Sequence, residues 1–286
     1  MNQKAKGILY ILMAAFCFAS MSLFVRLSGD VPTMQKALFR NAVAAIISVI
    51  MLLRSQEGFQ IKKGSVPFLL LRSIFGCSGL ICNFWAVDHL VIADANMLNK
   101  LSPFFAIVMS AFILKEIPTF MECIFVVIAF IGAIFIVHPT AGIASLPALV
   151  GLFGGFAAGT AYTFVRKLGN RGERGPIIVC FFSVFSTLVC LPYIIFSYHP
   201  MTLQQFFLLI CAGCCAAGGQ LSITAAYTYA PAKEISVFDY SQVIFAAFLG
   251  FCCFGEMPDQ YSFIGYVLII ATALVKWRYN LRLEDK

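Results

Sequence analysis

The sequence contains very little charge for its length. Only 12% of its 286 residues are Asp, Glu, Lys or Arg, and residues 175–232 contain none of them. Soluble domains have about 25% charged residues, so this composition excludes a soluble domain. An uncharged stretch of this length can form two helices that each cross a hydrocarbon core of about 30 Å. The sequence therefore predicts an all-α integral membrane protein.

The absence of several sequence motifs limits the classes of function that this protein can have. The sequence has no Walker A motif, so ATP is not predicted to be the direct energy source. Its histidines, His89, His138 and His199, form no pattern typical of a metal site or a nucleophile, and an integral membrane enzyme is only a minor alternative. The 11 cysteines are scattered through apolar runs, which favours packing over disulfides. We expect no cofactor, no metal, no nucleic-acid partner and no enzymatic activity.

Apolar sequence dominates the chain and divides into ten predicted spans at charged residues, glycines and prolines. They are Gly7–Leu27, Thr33–Leu53, Val66–Val87, Val91–Leu114, Phe120–Val137, Leu146–Val165, Pro176–Ser197, Leu203–Tyr229, Glu234–Phe254 and Tyr261–Trp277. With the N-terminus cytoplasmic, nearly all Lys and Arg residues at the span ends and in the connections lie on the cytoplasmic side, and only Arg26 and Lys36 lie on the outer side. The positive-inside rule then predicts a multi-pass protein of the cytoplasmic membrane with both termini cytoplasmic.

The second half of the chain repeats features of the first half at a constant offset of 140 residues. The matches include residues 24–26 with 164–166, Gly79 with Gly219, and Glu116 with Glu256. They predict two five-helix repeats, residues 7–138 and 146–280, within one membrane domain. Because five is an odd number of spans, the second copy enters the membrane from the opposite side. Inverted repeats are typical of transporters that work by alternating access.

Polar residues interrupt the fourth and ninth predicted spans at matched positions. They are Asn96, Asn99, Lys100 and Pro103 on one helix face of the fourth span, and Ser236, Asp239 and Tyr240 in the ninth. A lone charge at mid-membrane costs at least about 2.5 kcal/mol, so Lys100 and Asp239 are predicted to face a cavity or each other. Two interpretations stay open: a structural ion pair, or direct handling of substrate or a proton.

Further candidates surround this polar set. Asp94 and Glu234 occupy matched ends of the two spans, where gating and a favourable helix dipole are alternative roles. Pro103 is a third candidate for gating, because it removes a backbone hydrogen bond. Arg40 lies deep in the second span and is expected to bind Asp94 or a substrate carboxylate. Arg72, in the third span, is expected to extend to the membrane surface.

Aromatic and small residues complete the candidate site. Trp85, Tyr162, Tyr227 and Tyr240 are candidates for cavity walls, which suit organic cations through cation–π contacts. Gly151, Gly155 and Gly159 form a strip of small residues on the sixth span. Such strips are usually packing surfaces, and they are also surfaces along which two halves can slide.

Several short motifs of this sequence are shared with one group of transporters. They are Arg40 after Pro32, residues 101–106 and 115–118, and their echoes at residues 242–247 and 255–258. Through these motifs the chain resembles the EamA-like ten-span families of the drug/metabolite transporter superfamily. This resemblance implies a central cavity lined by spans 1, 3, 4, 6, 8 and 9, with spans 5 and 10 peripheral or at a dimer contact. Members move amino acids, other small metabolites, vitamins or nucleotide-linked compounds.

We therefore expect a secondary transporter for a small polar or zwitterionic, amino-acid-like metabolite. Its partners would be this substrate and membrane lipid, and either a proton or a sodium gradient would drive transport. The sequence is compatible with both a monomer and a homodimer. The alternative within the same class is an exporter of organic cations or drugs.

Overall fold

The structure is a computed structural model that describes residues 3–89, 98–137, 146–255 and 260–284. In these ranges the chain forms eleven helices joined by short connections, and it contains no strand. The helices are α1 (Gln3–Leu27), α2 (Thr33–Arg54), α3 (Val66–His89), α4 (Ser102–Leu114), α5 (Phe120–Val137), α6 (Leu146–Asn170), α7 (Gly175–Ser197), α8 (Leu203–Tyr229), α9 (Ala232–Asp239), α10 (Ser241–Phe254) and α11 (Gln260–Glu284).

Seven of the described stretches are long and apolar enough to cross a membrane. They are α1, α2, residues 66–83 of α3, α6, α7, α8, and the stretch Ala232–Phe254 that contains α9 and α10. Two shorter apolar helices, Ser102–Leu114 and Phe120–Phe135, accompany them. The structure therefore confirms the all-helical integral membrane class.

Two predicted spans contain a break instead of one continuous helix. The ninth predicted span, Glu234–Phe254, lies within the membrane-crossing stretch Ala232–Phe254, but this stretch is interrupted at Tyr240 between α9 and α10. In the fourth span, α4 begins only at Ser102, after a turn at residues 100–101. Pro103 lies in the first turn of α4, where a missing N–H breaks no helical hydrogen bond and the fixed φ is favourable.

The helices that follow the two breaks also end alike. Lys115 and Gly255 each adopt a left-handed conformation immediately after α4 and α10, with φ of 59° and 67°. Glycine adopts this conformation without strain, whereas a lysine does so rarely. The two positions are 140 residues apart, the offset found in the sequence.

The core lies between the two halves of the chain. Helix α1 packs on α8, α3 on α6, α2 on α7, and α5 on α11, so each of these pairs joins one helix from each half. Glycines allow close contact in two of these helix pairs. In the α3–α6 pair, a Cβ atom on Gly79 would lie 3.0 Å from the amide nitrogen of Ala158. In the α1–α8 pair, a Cβ atom on Gly219 would lie 2.7 Å from the Phe18 ring. The central polar residues therefore lie between two halves that are packed against each other.

Candidate functional site

The two helix breaks touch each other through Tyr240 and Lys100. The Tyr240 hydroxyl is fully buried and donates a hydrogen bond of 3.0 Å to the backbone carbonyl of Lys100. In an unbroken helix this carbonyl would accept from the Phe104 amide, which instead donates to Leu101. The carbonyl released by the first break is therefore satisfied by a side chain at the second break.

Lys100 and Asp239 form an ion pair at this meeting point. The Lys100 Nζ lies 3.6 Å from the Asp239 Oδ2, and both side chains are largely buried. Lys100 also donates a hydrogen bond of 2.7 Å to the Gln242 Oε1. The two charges thus face each other, one of the two arrangements that the sequence predicts. Gln242 was not predicted as a site residue, although it follows the second break where Ser102 follows the first.

Three tyrosines lie near enough to the Asp239 carboxylate to interact with its charge. The rings of Tyr162 and Tyr227 are stacked, with centroids 4.9 Å apart and planes 9° apart. Asp239 interacts electrostatically with both of them and with Tyr240. Ser236 is buried, and its hydroxyl donates to the Ala232 carbonyl at 2.6 Å. The predicted residues of α6, α8 and α9 therefore come together around the ion pair.

Two arginines extend the site toward α2 and α3. Arg40 and Arg72 both interact electrostatically with Tyr162. Arg72 is only 2% exposed, donates to the Gln220 Oε1 at 3.2 Å and stacks on the Phe182 ring at 4.1 Å. The prediction that Arg72 extends to the membrane surface is therefore wrong. The sequence places Arg72 near a helix end but does not show that it lies on the face toward α7 and α8.

Both arginines retain a donor that the described part of the chain does not satisfy. In residues 3–89, 98–137, 146–255 and 260–284, the buried Nε atoms of Arg40 and Arg72 have no hydrogen-bond partner. Buried donors without a partner are costly. These two N–H groups are therefore available to a carboxylate ligand, the chemistry that guanidinium groups recognise best.

The glycine strip on α6 packs directly against the first break. A Cβ atom on Gly155 would lie 2.6 Å from the Leu98 carbonyl oxygen, and one on Gly159 would lie 2.6 Å from the Ser102 carbonyl oxygen. These neighbours are backbone atoms, which cannot rotate away as a side chain can. The strip is a packing surface that positions the backbone on both sides of Lys100.

Glu234 belongs to a charged seam at the predicted cytoplasmic end. It lies in the first turn of α9 and pairs with Lys4 at 3.5 Å. Two further ion pairs join the halves at this end: Arg166 with Glu116 at 3.1 Å, and Lys276 with Glu122 at 3.3 Å. Arg166 also donates to the Thr228 carbonyl at 2.7 Å. This seam holds α1, α5, α6, α9 and α11 together, and the gating role of Glu234 stays a prediction.

The remaining predicted residues have different surroundings. Trp85 lies near the end of α3, where its ring stacks on His89 with centroids 4.1 Å apart. Asn99 is half-buried and directly precedes Lys100, and Pro103 is buried at the start of α4. Asp94 and Asn96 lie outside the described residues.

We expect Tyr240→Phe to remove the hydrogen bond that joins the two helix breaks. The change removes only the hydroxyl, so it leaves the buried Lys100 carbonyl without its donor at a cost of about 1–3 kcal/mol. Thermal unfolding of the purified protein should shift to lower temperature, and the rate of transport should fall. The matched control is Tyr198→Phe, because Tyr198 is 60% exposed. Equal unfolding temperatures for the two variants would contradict the contact.

Comparison with known proteins shows the family to which this chain belongs. The model of the EamA-like transporter family matches residues 5–138 and matches again over residues 145–277. The chain belongs to the EamA-like transporter family, and it is an integral multi-pass membrane protein of a transporter family, as the sequence predicts.

Individual relatives carry the names of transporters, and two of these names state different compounds. The chain is 33% identical to the pseudopaline exporter CntI of Pseudomonas aeruginosa, over 94% of both chains. It is 27% identical to human solute carrier family 35 member G1, over 95% of this chain and 80% of the relative. It is 25% identical to the riboflavin transporter of Vibrio cholerae, over 95% and 93%. One solved structure has the same fold, with a TM-score of 0.81 at 15% identity over 98% and 99% of the two chains.

Proposed function

We propose that this protein is a secondary transporter that moves a small zwitterionic, amino-acid-like metabolite across the cytoplasmic membrane. The observation that carries the proposal is the ion pair between Lys100 and Asp239 at the meeting point of two broken helices. The carboxylate of a zwitterion would take the place of Asp239 beside Lys100, and its amine would take the place of Lys100 beside Asp239. Both buried charges then keep a partner with and without substrate, so the site avoids the cost of an unpaired charge.

The proposed mechanism is alternating access between two inverted five-helix repeats, which together make ten spans. Three features support the repeats: the breaks lie 140 residues apart, the left-handed residues Lys115 and Gly255 have the same offset, and the family model matches each half separately. The helix pairs support them too, because exchanging the halves converts the α1–α8 pair into the α6–α3 pair. In this architecture the halves rock about a site at mid-membrane.

The arginines favour a substrate that carries a carboxylate. Arg40 and Arg72 each present an unsatisfied Nε–H in the buried region near Tyr162, and Lys100 adds a third cation. Asp239 is the carboxylate that pairs with Lys100 there. Two buried arginines near Tyr162, added to the balanced pair of Lys100 and Asp239, give the region an excess of positive charge that favours a ligand whose net charge is zero or negative.

The alternative substrate class, an organic cation or drug, has one observation in its favour. The stacked pair of Tyr162 and Tyr227 beside Asp239 is a surface suited to cation–π binding. The positive charges of Arg40 and Arg72 would repel such a ligand, so we rank it second. For the direction of transport, the relative named as a pseudopaline exporter supports export.

A ligand screen followed by flux measurements tests the proposed function. The purified full-length protein is heated with zwitterionic amino-acid-like compounds, dicarboxylates and organic cations, and compounds that raise its unfolding temperature are tested in proteoliposomes. We expect stabilisation by carboxylate-bearing zwitterions, and flux that responds to an imposed proton or sodium gradient. Stabilisation by organic cations alone would favour the alternative, and stabilisation by none of the three classes would overturn the proposal.

A further inference from the structure

A lipid-facing groove lies between α2, α3 and α7, apart from the site described above. Its volume is about 300 Å³. The lining is apolar and consists of Leu52, Phe59, Ile61, Leu70, Ile177, Cys180, Phe181, Val184, Phe185 and Leu188. Phe59 and Leu188 are 50% and 62% exposed, so the groove opens to the outside of the helix bundle. We call it the α2/α7 groove.

The groove has the length of one acyl chain in one leaflet. Along α7 it runs from Ile177 to Leu188, which corresponds to about 16 Å at 1.5 Å per residue. Half of a hydrocarbon core is about 15 Å thick. The groove thus begins at the predicted cytoplasmic surface, just after Arg174, and ends near the middle of the membrane.

A basic cluster lies at the surface end of the groove. It consists of Arg54, Lys62, Lys63, Arg171 and Arg174 on the ends of α2, α6 and α7 and on the connection between α2 and α3. A polar recess of about 170 Å³, lined by Lys62 and Arg174 among others, shares Ile61 with the groove. The cationic surface and the apolar groove are therefore continuous.

The acidic residues of this region already have partners within the protein. Glu57 pairs with Arg174 at 3.1 Å, and the Glu173 Oε2 accepts from the backbone amide of Lys62 at 3.1 Å. Arg174 also donates to the Gly58 carbonyl at 2.6 Å, and this hydrogen bond holds the connection between α2 and α3 over the groove. Lys62, Lys63 and Arg171 are exposed, so their charges face the surface beside the recess.

We propose that the α2/α7 groove and the basic cluster form a binding site for an anionic phospholipid. One acyl chain occupies the groove, and the phosphate group lies beside Lys62 and Lys63. Charge complementarity selects this occupant over a zwitterionic lipid, since five cations outnumber two engaged carboxylates. The bound lipid would cover the contact between α2 and α7, and thereby hold the first half of the chain against the second.

Native mass spectrometry and thermal unfolding of the full-length protein test this site. The probes are phosphatidylglycerol and phosphatidylcholine with identical acyl chains, supplied in mixed micelles. We expect wild-type protein to retain phosphatidylglycerol preferentially and to unfold at a higher temperature with it. Lys62→Gln/Lys63→Gln should reduce that preference about 25-fold, because each surface lysine contributes about fivefold. Val184→Trp, which fills the groove, should reduce retention of both lipids.

Matched controls separate this site from general effects of charge. Arg278→Gln/Arg282→Gln removes two exposed cations from α11 and should leave lipid selectivity unchanged. Equal retention of the two lipids by wild-type protein would overturn the proposal, as would an equal loss in the control variant. Stabilisation by inorganic phosphate equal to that by phosphatidylglycerol would indicate a soluble anion site instead. A dimer that persists without lipid and is lost in Val184→Trp would show that a second copy covers the groove.

Discussion

Lys100→Gln is expected to reduce transport about 100-fold, the largest effect of any single change in this protein. The change removes the cation proposed to hold the substrate carboxylate, and a charged hydrogen bond of this kind contributes about 1.5–3 kcal/mol. It also leaves Asp239 buried without its partner at 3.6 Å. Asp239→Asn should have a comparable effect for the complementary reason. Initial rates of substrate flux in proteoliposomes, normalised to folded protein, measure both.

The double variant Lys100→Gln/Asp239→Asn separates a structural pair from a substrate site. Each single change leaves one buried charge alone, which costs about 3–5 kcal/mol, whereas the double change leaves none. The unfolding temperature of the double variant should therefore recover, while transport stays as low as in the single variants. Recovery of transport together with stability would show that the pair is only structural. Lys233→Gln is the control, because this lysine is only half-buried and its hydrogen bond to the Ile117 carbonyl is exposed.

Gly159→Ala is expected to have the second-largest effect. The added methyl group would lie 2.6 Å from the Ser102 carbonyl oxygen and 2.7 Å from the Ala106 amide nitrogen, so α6 and α4 must move apart. Overpacking of this kind costs about 1–3 kcal/mol. Because α4 begins just after Lys100, the movement also displaces the ion pair, and transport should fall at least about tenfold. Thermal unfolding and flux of the same preparations measure the two effects.

Gly218→Ala is the matched change in α8, another transmembrane helix of the same half. Its added methyl group meets only the Cys17 Sγ at 3.3 Å, and that side chain can move. Alanine is also a better helix former than glycine by about 1 kcal/mol, so this variant should keep its stability and transport. If Gly159→Ala behaves like Gly218→Ala, the close contact between α6 and α4 does not position the site.

The membrane class and the positions of most helices follow from hydropathy, because long uncharged runs have few other stable arrangements. The sequence also predicts that Lys100 and Asp239 face either a cavity or each other, and the structure has the second arrangement. The break at Tyr240 does not follow from hydropathy. No proline or glycine marks it in residues 232–249, and the turn depends on contacts with the other half, such as the hydrogen bond to Lys100.

The direction in which a side chain points is the other feature that hydropathy cannot supply. Arg72 lies near a helix end, where an arginine can reach the membrane surface, yet it points into the protein toward Gln220 and Phe182. Gln220 lies among small and apolar residues, and only its partner from the other half, Arg72, shows that it belongs to the polar centre. Gln242 follows Asp239 by three residues, and its hydrogen bond from Lys100 shows that it belongs to the ion-pair site. Contacts between halves therefore determine the part of the site that the sequence does not reveal.

The left-handed lysine at the end of α4 has a consequence for how the chain enters the membrane during synthesis. Lys115 keeps a conformation that costs a non-glycine residue about 1–2 kcal/mol, at the position where the second half has Gly255. Glycine at both positions would relax the turn but would remove a positive charge from one of them. The difference leaves a cation flanking α4 and none at the equivalent end of α10. In the proposed inverted-repeat topology, this charge difference would give the two halves opposite insertion signals, at the cost of one strained residue.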